Sequence, residues 1–537
     1  MARWNRRWVF GLLLLSGASL HAQVNRYFVF FKDKQNTPYA IERPAEFLSA
    51  RSLQRRARNN VSVTEEDLPV NPAYVAQVQT AGVSVFFTSK WWNGVLIECE
   101  AAQVAAVQQL ASVARVELVA PGRKLTQGRS KRVRDRSRTD DVQQTDTQLQ
   151  QLGLTEMHAQ GYRGEGILIA VFDSGFTGVD TASPFAHLFS DSRLTYTFNY
   201  VHNVPDVYDR DDHGTEVLSV LAAQSANYTG AAPKATYQLY LTEDVSSEYR
   251  IEEYNWTFAA ERADSMGVDV INTSLGYNTF DENSMDYALA DLTGEKAVIS
   301  IAAAKALARG MVLVTSAGNE GNISSWRKVT PPADVEGVLA VGSVNALGMR
   351  SSFSSIGPTA DGRIKPDVMA MGSGTAVVRP NGSVSSASGT SVASPLVAGL
   401  AAGLLQAYPQ LTARHVYNVV LLAGSQSATP DNQHGFGIPN FTRVNVTAIE
   451  EEDCSHAIYV YPNPVTQNSV QIRMSGFGEE AVHLSVYSQQ GQLLAEQHLV
   501  LQAPSPVEYD LSMLTPGTYL VKVKTACTER VIRLVKL

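Results

Sequence analysis

One run restricts the fold of this chain more than any other. SPLVAGLAAGLLQAY, Ser394 to Tyr408, is apolar with the length and periodicity of a buried helix, so a core must surround it. A Gly- and Ser-rich loop, Gly372 to Ser388, precedes it, and GTSVASP, Gly389 to Pro395, joins the two. Ser391 is therefore expected to open the helix. Its hydroxyl would lie at the positive end of the helix dipole, among amide N–H groups that lack partners within the helix. Such donors can meet the negative charge that develops on a carbonyl oxygen under nucleophilic attack. Pro395 is expected in the first turn, where its missing N–H costs little. A lone serine before a helix is more often a cap. This one has company.

A serine hydroxyl is a weak nucleophile near neutral pH and needs a base within hydrogen-bond reach and a third group to orient that base. ILIAVFDSG, Ile167 to Gly175, reads as a fully buried strand ending at Asp173, and DDHGTEVLSVLAA places His213 at the start of a helix-like apolar run. Asp173 would orient the imidazole and stabilise its charged form, and His213 would take and return the proton of Ser391. VLVTSAGNEGN, Val312 to Asn322, adds a strand running into Gly318 and Asn319, whose side-chain amide could face the reacting centre. Singly, these residues pass as strand-end, helix-start and turn formers. Together they read as a hydrolytic site.

DSG with Asp173, HGT with His213, SAGN with Asn319 and GTSVASP with Ser391 resemble the four signature blocks of the subtilisin-like serine proteases, the subtilase family. The order Asp, His, Ser is also that of subtilisin. VINTSLG, Val270 to Gly276, and GAAPKA, Gly230 to Ala235, resemble two supporting blocks, and the likeness covers roughly Val142 to Val446. The resemblance implies an α/β fold with a mainly parallel sheet between helices. It also implies that Asn319 completes the oxyanion hole, a donor worth about 3–4 kcal/mol in subtilisin. Ser274, Leu275 and Gly276 would pair with an extended substrate, and Ser316, Ala317 and Gly318 would border the pocket for the residue before the cut.

The flanks suggest an exported protein of four parts. A basic start, a short apolar run and Ala22 read as a signal peptide over 1–22, and no later segment is expected to span a bilayer. Residues 23–138 combine strand patterns (RYFVFFKDK, VSVFFTSKWWNGVLIE), a helix pattern (AAQVAAVQQLASV) and the basic run PGRKLTQGRSKRVRDRSRTD, in which cleavage is expected between Gly122 and Asp140. They resemble the inhibitory pro-segments of subtilases, making the chain's own propeptide an intramolecular inhibitor. The catalytic part is expected over 139–448. Over 449–537, short alternating strands argue a β-sandwich. YPNP, LTPGTYLVKV and the terminal RLVKL resemble the C-terminal sorting domain of the type IX secretion route in Bacteroidetes. That implies handling by the secretion machinery, and release or surface attachment.

A net charge of -8 does not suggest nucleic-acid binding. Cys454 and Cys527 could pair, while Cys99 lies in the part expected to be removed. No cofactor is expected beyond a structural calcium. Asp206, Asp209, Asp211 and Asp212 could hold a structural calcium, although their spacing is not that of an EF-hand. Glu252 and Glu253 are expected on the solvated side of a helix, and Glu320 as a turn carboxylate. Two alternatives have discriminating features. A sedolisin-type peptidase would use Glu as base and Asp at the oxyanion site, against DHGTEV and SAGNEG here. An inactive binding or adhesion protein of the same fold would usually lack one of Asp173, His213, Asn319 and Ser391, and none is missing.

Overall fold

The computed structural model describes residues 24–122, 145–446, 458–474, 478–503, 506–525 and 529–537. The expected signal peptide, the basic run after Gly122, Cys454 and Cys527 lie outside the described residues. The first unit is a four-stranded antiparallel sheet of β1 (Val24–Phe31), β2 (Ser84–Ser89), β3 (Gly94–Glu100) and β4 (Val113–Ala120), ordered β2-β3-β1-β4. It carries α1 (Ala50–Arg58), α2 (Pro72–Thr80) and α3 (Val104–Gln108). Side chains alternate across a strand, so β1 serves two cores. Tyr27, Val29 and Phe31 join Val78 and Val107 inside the unit, whereas Phe28 and Phe30 enter the core of the next one.

That next unit is built on a seven-stranded parallel sheet. Its strands are β5 (Leu168–Asp173), β6 (Leu194–Asn199), β7 (Thr236–Leu241), β8 (Val270–Thr273), β9 (Val312–Ser316), β10 (Leu339–Val344) and β11 (Val368–Met371). They are ordered β11-β10-β9-β8-β5-β7-β6. The helices that matter for the site are α4 (His213–Ala222), α5 (Ile251–Met266), α6 (Val298–Ala308), α7 (Thr390–Ala407) and α8 (Ala413–Leu422). Parallel strands need both faces covered, which explains runs such as LIAVFD that do not alternate. Ile169 and Val171 pack with Val217, Leu221, Val397 and Leu400 of α4 and α7. Leu168, Ala170 and Phe172 pack on the other face with Tyr254, Trp256 and Phe258 of α5 and Ile299 of α6. The first unit lies against this second face. Phe28 stacks on Tyr254 at a ring separation of 4.5 Å, and Phe87 lies 5.2 Å from Tyr200 and 5.1 Å from Phe258.

Three expectations need correction. α7 has the length and apolarity of a membrane span, contrary to the reading that nothing after the leader does, yet Thr390 through Leu405 are all buried in protein core. Pro395 stands inside α7, beyond its first turn. It leaves the carbonyl of Ser391 without its usual i+4 donor, and the hydroxyl of Ser274 donates to that carbonyl instead, at 2.8 Å. Glu252 and Glu253 are buried, at 1% and 0% exposure, because the segments carrying Asp244 and Tyr287 and the start of α6 close over them. Glu253 is compensated by the Tyr287 hydroxyl at 2.8 Å and the Ile299 amide at 3.0 Å, and burial pushes its carboxyl up to about 7.

A hairpin, β12 (Thr375–Val378) and β13 (Val384–Ala387), leads into α7. The last unit has two antiparallel sheets. One is β14 (Ile458–Tyr461), β15 (Ser469–Met474) and β18 (Val507–Asp510), and the other is β16 (Gly478–Ser488), β17 (Leu493–Ala503), β19 (Gly517–Lys524) and β20 (Glu529–Lys536). Ile472, Leu484, Val523 and Leu534 meet in a shared core between them, the expected sandwich.

Candidate active site

In an open parallel sheet, chemistry gathers beyond the carboxyl ends of the strands, where successive strands depart to opposite sides. Here β5 is that point, with β7 on one side and β8 on the other. Asp173 is the last residue of β5, Ser274 follows β8, and Asn319 follows β9. All three reach the same edge of the sheet.

Asp173 and His213 meet directly. The His213 Nδ1 lies 2.5 Å from Asp173 Oδ1, with both side chains at or below 1% exposure. Asp173 Oδ1 also accepts the Ser174 amide at 2.8 Å. Gly214, next to His213, lets the start of α4 close on this turn, because a side chain there would strike the Gly175 carbonyl and Asp173 Cβ. The other ring nitrogen, His213 Nε2, is buried and has no hydrogen-bond partner, so the bond to Ser391 is not made in this structure. Ser391 stands in the first turn of α7, which packs against α4. Such bonds are often long in a free enzyme and tighten with substrate.

Ser391 is held more firmly by its backbone than by its hydroxyl. Ser274 Oγ donates to its carbonyl, Asn272 Nδ2 donates to Ser274 Oγ at 3.3 Å, and Ser394 Oγ donates to Asn272 Oδ1 at 2.8 Å. This ladder pins the first turn of α7 to the end of β8. Asn319 is exposed and oriented: its Oδ1 accepts from the Thr390 amide at 2.9 Å and the Thr390 hydroxyl at 3.0 Å. Its Nδ2 is thereby turned outward. A Cβ placed on Gly389 would lie 2.9 Å from Ser391 Oγ and 3.7 Å from Asn319 Nδ2, so glycine keeps the space between the two groups open. The Ser391 amide, early in α7, adds a donor without an intrahelical acceptor. Gly318 has φ 104, and a Cβ there would fall 2.9 Å from Ser355 Oγ, so this turn also needs glycine.

The expected substrate-binding segments divide. Gly276 is exposed and Leu275 half-buried, while Ser274 is turned inward to Ser391. Ser316 and Ala317 are buried, and Ala317 packs with Val329, Ala333 and Ala340, leaving Gly318 at the surface. Ser174, Thr390, Asn272 and Ser394 were not singled out in the sequence. Their contacts to the site mostly join residues more than 70 positions apart, and no spacing rule reports those.

The acidic loop before His213 does not converge. Asp206 closes a turn on the Tyr208 amide, Asp209 pairs with Arg210, Asp211 accepts from Ser174 Oγ at 2.6 Å, and Asp212 precedes α4. Among the described residues the carboxylates that do converge are Glu243, Glu248 and Glu252, with one oxygen of each within 4.8 Å of the others. Hard oxygen donors of this kind suit calcium. Glu320 is half-buried at the site's rim.

Three parts of the chain match known families. The profile described as the subtilase family matches residues 164–437, that of the Peptidase S8 propeptide domain of Bacteroidota matches 26–137, and that of a secretion system C-terminal sorting domain matches 459–536. Subtilisin NAT of Bacillus subtilis subsp. natto is 34% identical over 269 residues, covering 49% of this chain and 62% of that protein. Subtilisin of Bacillus pumilus is 34% identical over 269 residues, covering 49% of this chain and 86% of that one.

Proposed function

The chain belongs to the subtilase family, and from that premise we propose that it is a serine endopeptidase with Ser391 as nucleophile, exported to the cell surface or the surrounding medium. The observation that carries the reading is the His213 ring, tied to Asp173 at 2.5 Å through Nδ1 and left with Nε2 unbonded beside the helix that bears Ser391.

The steps follow from those atoms. His213 Nε2 accepts the Ser391 proton as Oγ attacks the substrate carbonyl, and Asp173 stabilises the resulting imidazolium. The carbonyl oxygen becomes an anion, met by Asn319 Nδ2 and the Ser391 amide. His213 returns the proton to the leaving amine, which gives the acyl-enzyme. Water, deprotonated by the same ring, then releases the acid and restores Ser391. Gly276 and Gly318 border the open channel, where an extended peptide would add as a strand beside Ser274–Gly276 and Ser316–Gly318.

The remaining parts take supporting roles. Residues 1–22 lead export, 23–138 form an inhibitor that occupies the channel until it is cut away, 139–448 are catalytic, and 449–537 engage the type IX secretion machinery. A structural calcium would be held by Glu243, Glu248 and Glu252. The chain spans 62% of the length of the first relatives it matches.

A fluorophosphonate probe is expected to label the protein stoichiometrically, and Ser391→Ala to abolish both labelling and casein hydrolysis. A Ser391→Ala protein that cleaves casein at the parent rate would refute the assignment. Activity is expected to fall on acidification as His213 takes a proton and ceases to be a base.

A further inference from the structure

Helices end with carbonyls that lack internal donors, and the negative end of the helix dipole lies there. α5 and α6 end side by side under the first unit. Amides of Gly267, Val268, Arg309 and Gly310 close their last turns, but the carbonyls of Val268 and Arg309 just beyond take a donor from the first unit. Arg55 of α1 supplies it. Its Nη1 donates to the Val268 carbonyl at 2.7 Å and its Nε to the Arg309 carbonyl at 3.1 Å. Its Nη2 reaches Asp264 Oδ1 at 2.6 Å and the Asp264 carbonyl at 3.3 Å. The Arg55 side chain is 1% exposed and that of Asp264 is 0% exposed.

Asp264 leans wholly on the first unit. Its other partners are Arg56 at 2.9 Å and Lys90 at 2.7 Å, and both leave with the pro-segment. Arg309 of the catalytic domain turns its guanidinium to Asp67 and Glu66 instead. Removing residues 23–138 therefore strips every observed cation from Asp264 and leaves the carbonyls of Val268 and Arg309 without their observed donor. The acceptors engage all three nitrogens of one side chain, which suits the fixed fork of a guanidinium and not the compact head of an ammonium.

We propose that Asp264, with the carbonyls of Val268 and Arg309, forms a guanidinium-binding socket on the catalytic domain, and that Arg55 in this socket retains the pro-segment after the linker is cut. The ligand class is an arginine side chain on a helix, with Arg55 its first occupant. This deepens the reading of residues 23–138 as an inhibitor and rests on it.

The test reads retention, not activity. Full-length Ser391→Ala protein is nicked with trypsin in the basic run, and loss of the pro-segment is followed by native mass spectrometry. Arg55→Lys is expected to speed release about tenfold or more, the effect of losing buried hydrogen bonds to a charged group. Arg55→Gly is expected to release faster still and to be slowed by ethylguanidinium but not by ethylammonium. Should Arg55→Gly protein not accumulate, its refolding yield in the two cations is read instead, with the same expectation. Release from Arg55→Lys at the parent rate, or equal rescue by the two cations, overturns the socket. A parent enzyme that hydrolyses peptide with its pro-segment still bound overturns the inhibitor reading and leaves the socket standing.

Discussion

Toward the catalytic domain the pro-segment presents Arg51, Arg55, Arg56, Arg58 and Lys90, which meet Asp264 and Asp269, whereas the C-terminal sandwich presents Arg473 to Glu295, Glu336 and Asp361. The first set bonds closely, and aromatic contacts of Phe28 and Phe87 flank it. The second is looser. Arg473 stands 3.4–3.7 Å from its carboxylates, and its Nε makes no hydrogen bond. Asp361 is already neutralised by Arg363 at 2.7 Å. The domain can therefore lose the sandwich and keep Asp361 paired, while Glu295 and Glu336 give up only a distant cation. Losing the pro-segment forces Asp264 back into water, so the two ends of the chain separate from the middle by different physics.

The contrast can be broken most directly at Asp264. Asp264→Asn leaves Arg55 and Lys90 buried without the carboxylate they pair with, while Arg56 keeps Asp67, and is expected to weaken pro-segment docking by about 3–5 kcal/mol. Denaturant melting of the uncut chain, followed by Trp91 and Trp92 fluorescence, checks this. A change below about 1 kcal/mol would mean the ion pairs merely decorate the interface.

Glu253 sharpens the comparison through pH. Arg250 lies 3.8 Å from Glu253 and 3.8 Å from Glu117 of the pro-segment, so it is shared across the boundary. The buried carboxyl is raised from 4.5 to about 7, which means the folded state binds its proton more tightly than the unfolded state does. Its contribution is full below the unfolded value, declines as pH rises toward 7, and stays low above that. Glu253→Gln is expected to flatten this slope and to gain up to about 3 kcal/mol at pH 8, measured by melting across pH 4–8.

Smaller effects belong to the remaining contacts. Phe87→Ala removes a half-buried ring from between Tyr200 and Phe258 and is expected to cost about 2 kcal/mol of pro-segment docking, read by the same melting experiment. Arg473→Ala is expected to cost about 1 kcal/mol or less. It should free the sandwich, seen as a larger radius of gyration in solution scattering, while the catalytic domain melts unchanged. A collapse of that domain's melting temperature would show the sandwich to be structural after all.

The candidate site was legible because each of its residues sits beside a local signal. Asp173 ends an unbroken apolar run, His213 and Ser391 begin helices, and Asn319 follows a strand and a glycine whose φ is 104. What supports those residues was not legible. Ser274 was expected to pair with substrate through its backbone, and no local signal showed that its hydroxyl serves the carbonyl that Pro395 leaves without a donor, 117 positions away. Glu252 and Glu253 looked solvated because a carboxylate usually is. Only the tertiary packing of Asp244, Tyr287 and Ile299 against them makes that side of the helix an interior.

The order of the parts, the strands and helices of the central domain and the residues of its candidate site can be read from the amino-acid sequence alone. Those features depend on neighbours within a few positions, through apolar period, glycine at tight turns and a polar group at an element's end. Only the tertiary structure decided which charges are buried and by whom they are neutralised. Arg55 meets Asp264 across 209 residues, and whether that carboxylate faces water or a guanidinium depends on which surface comes to rest on it.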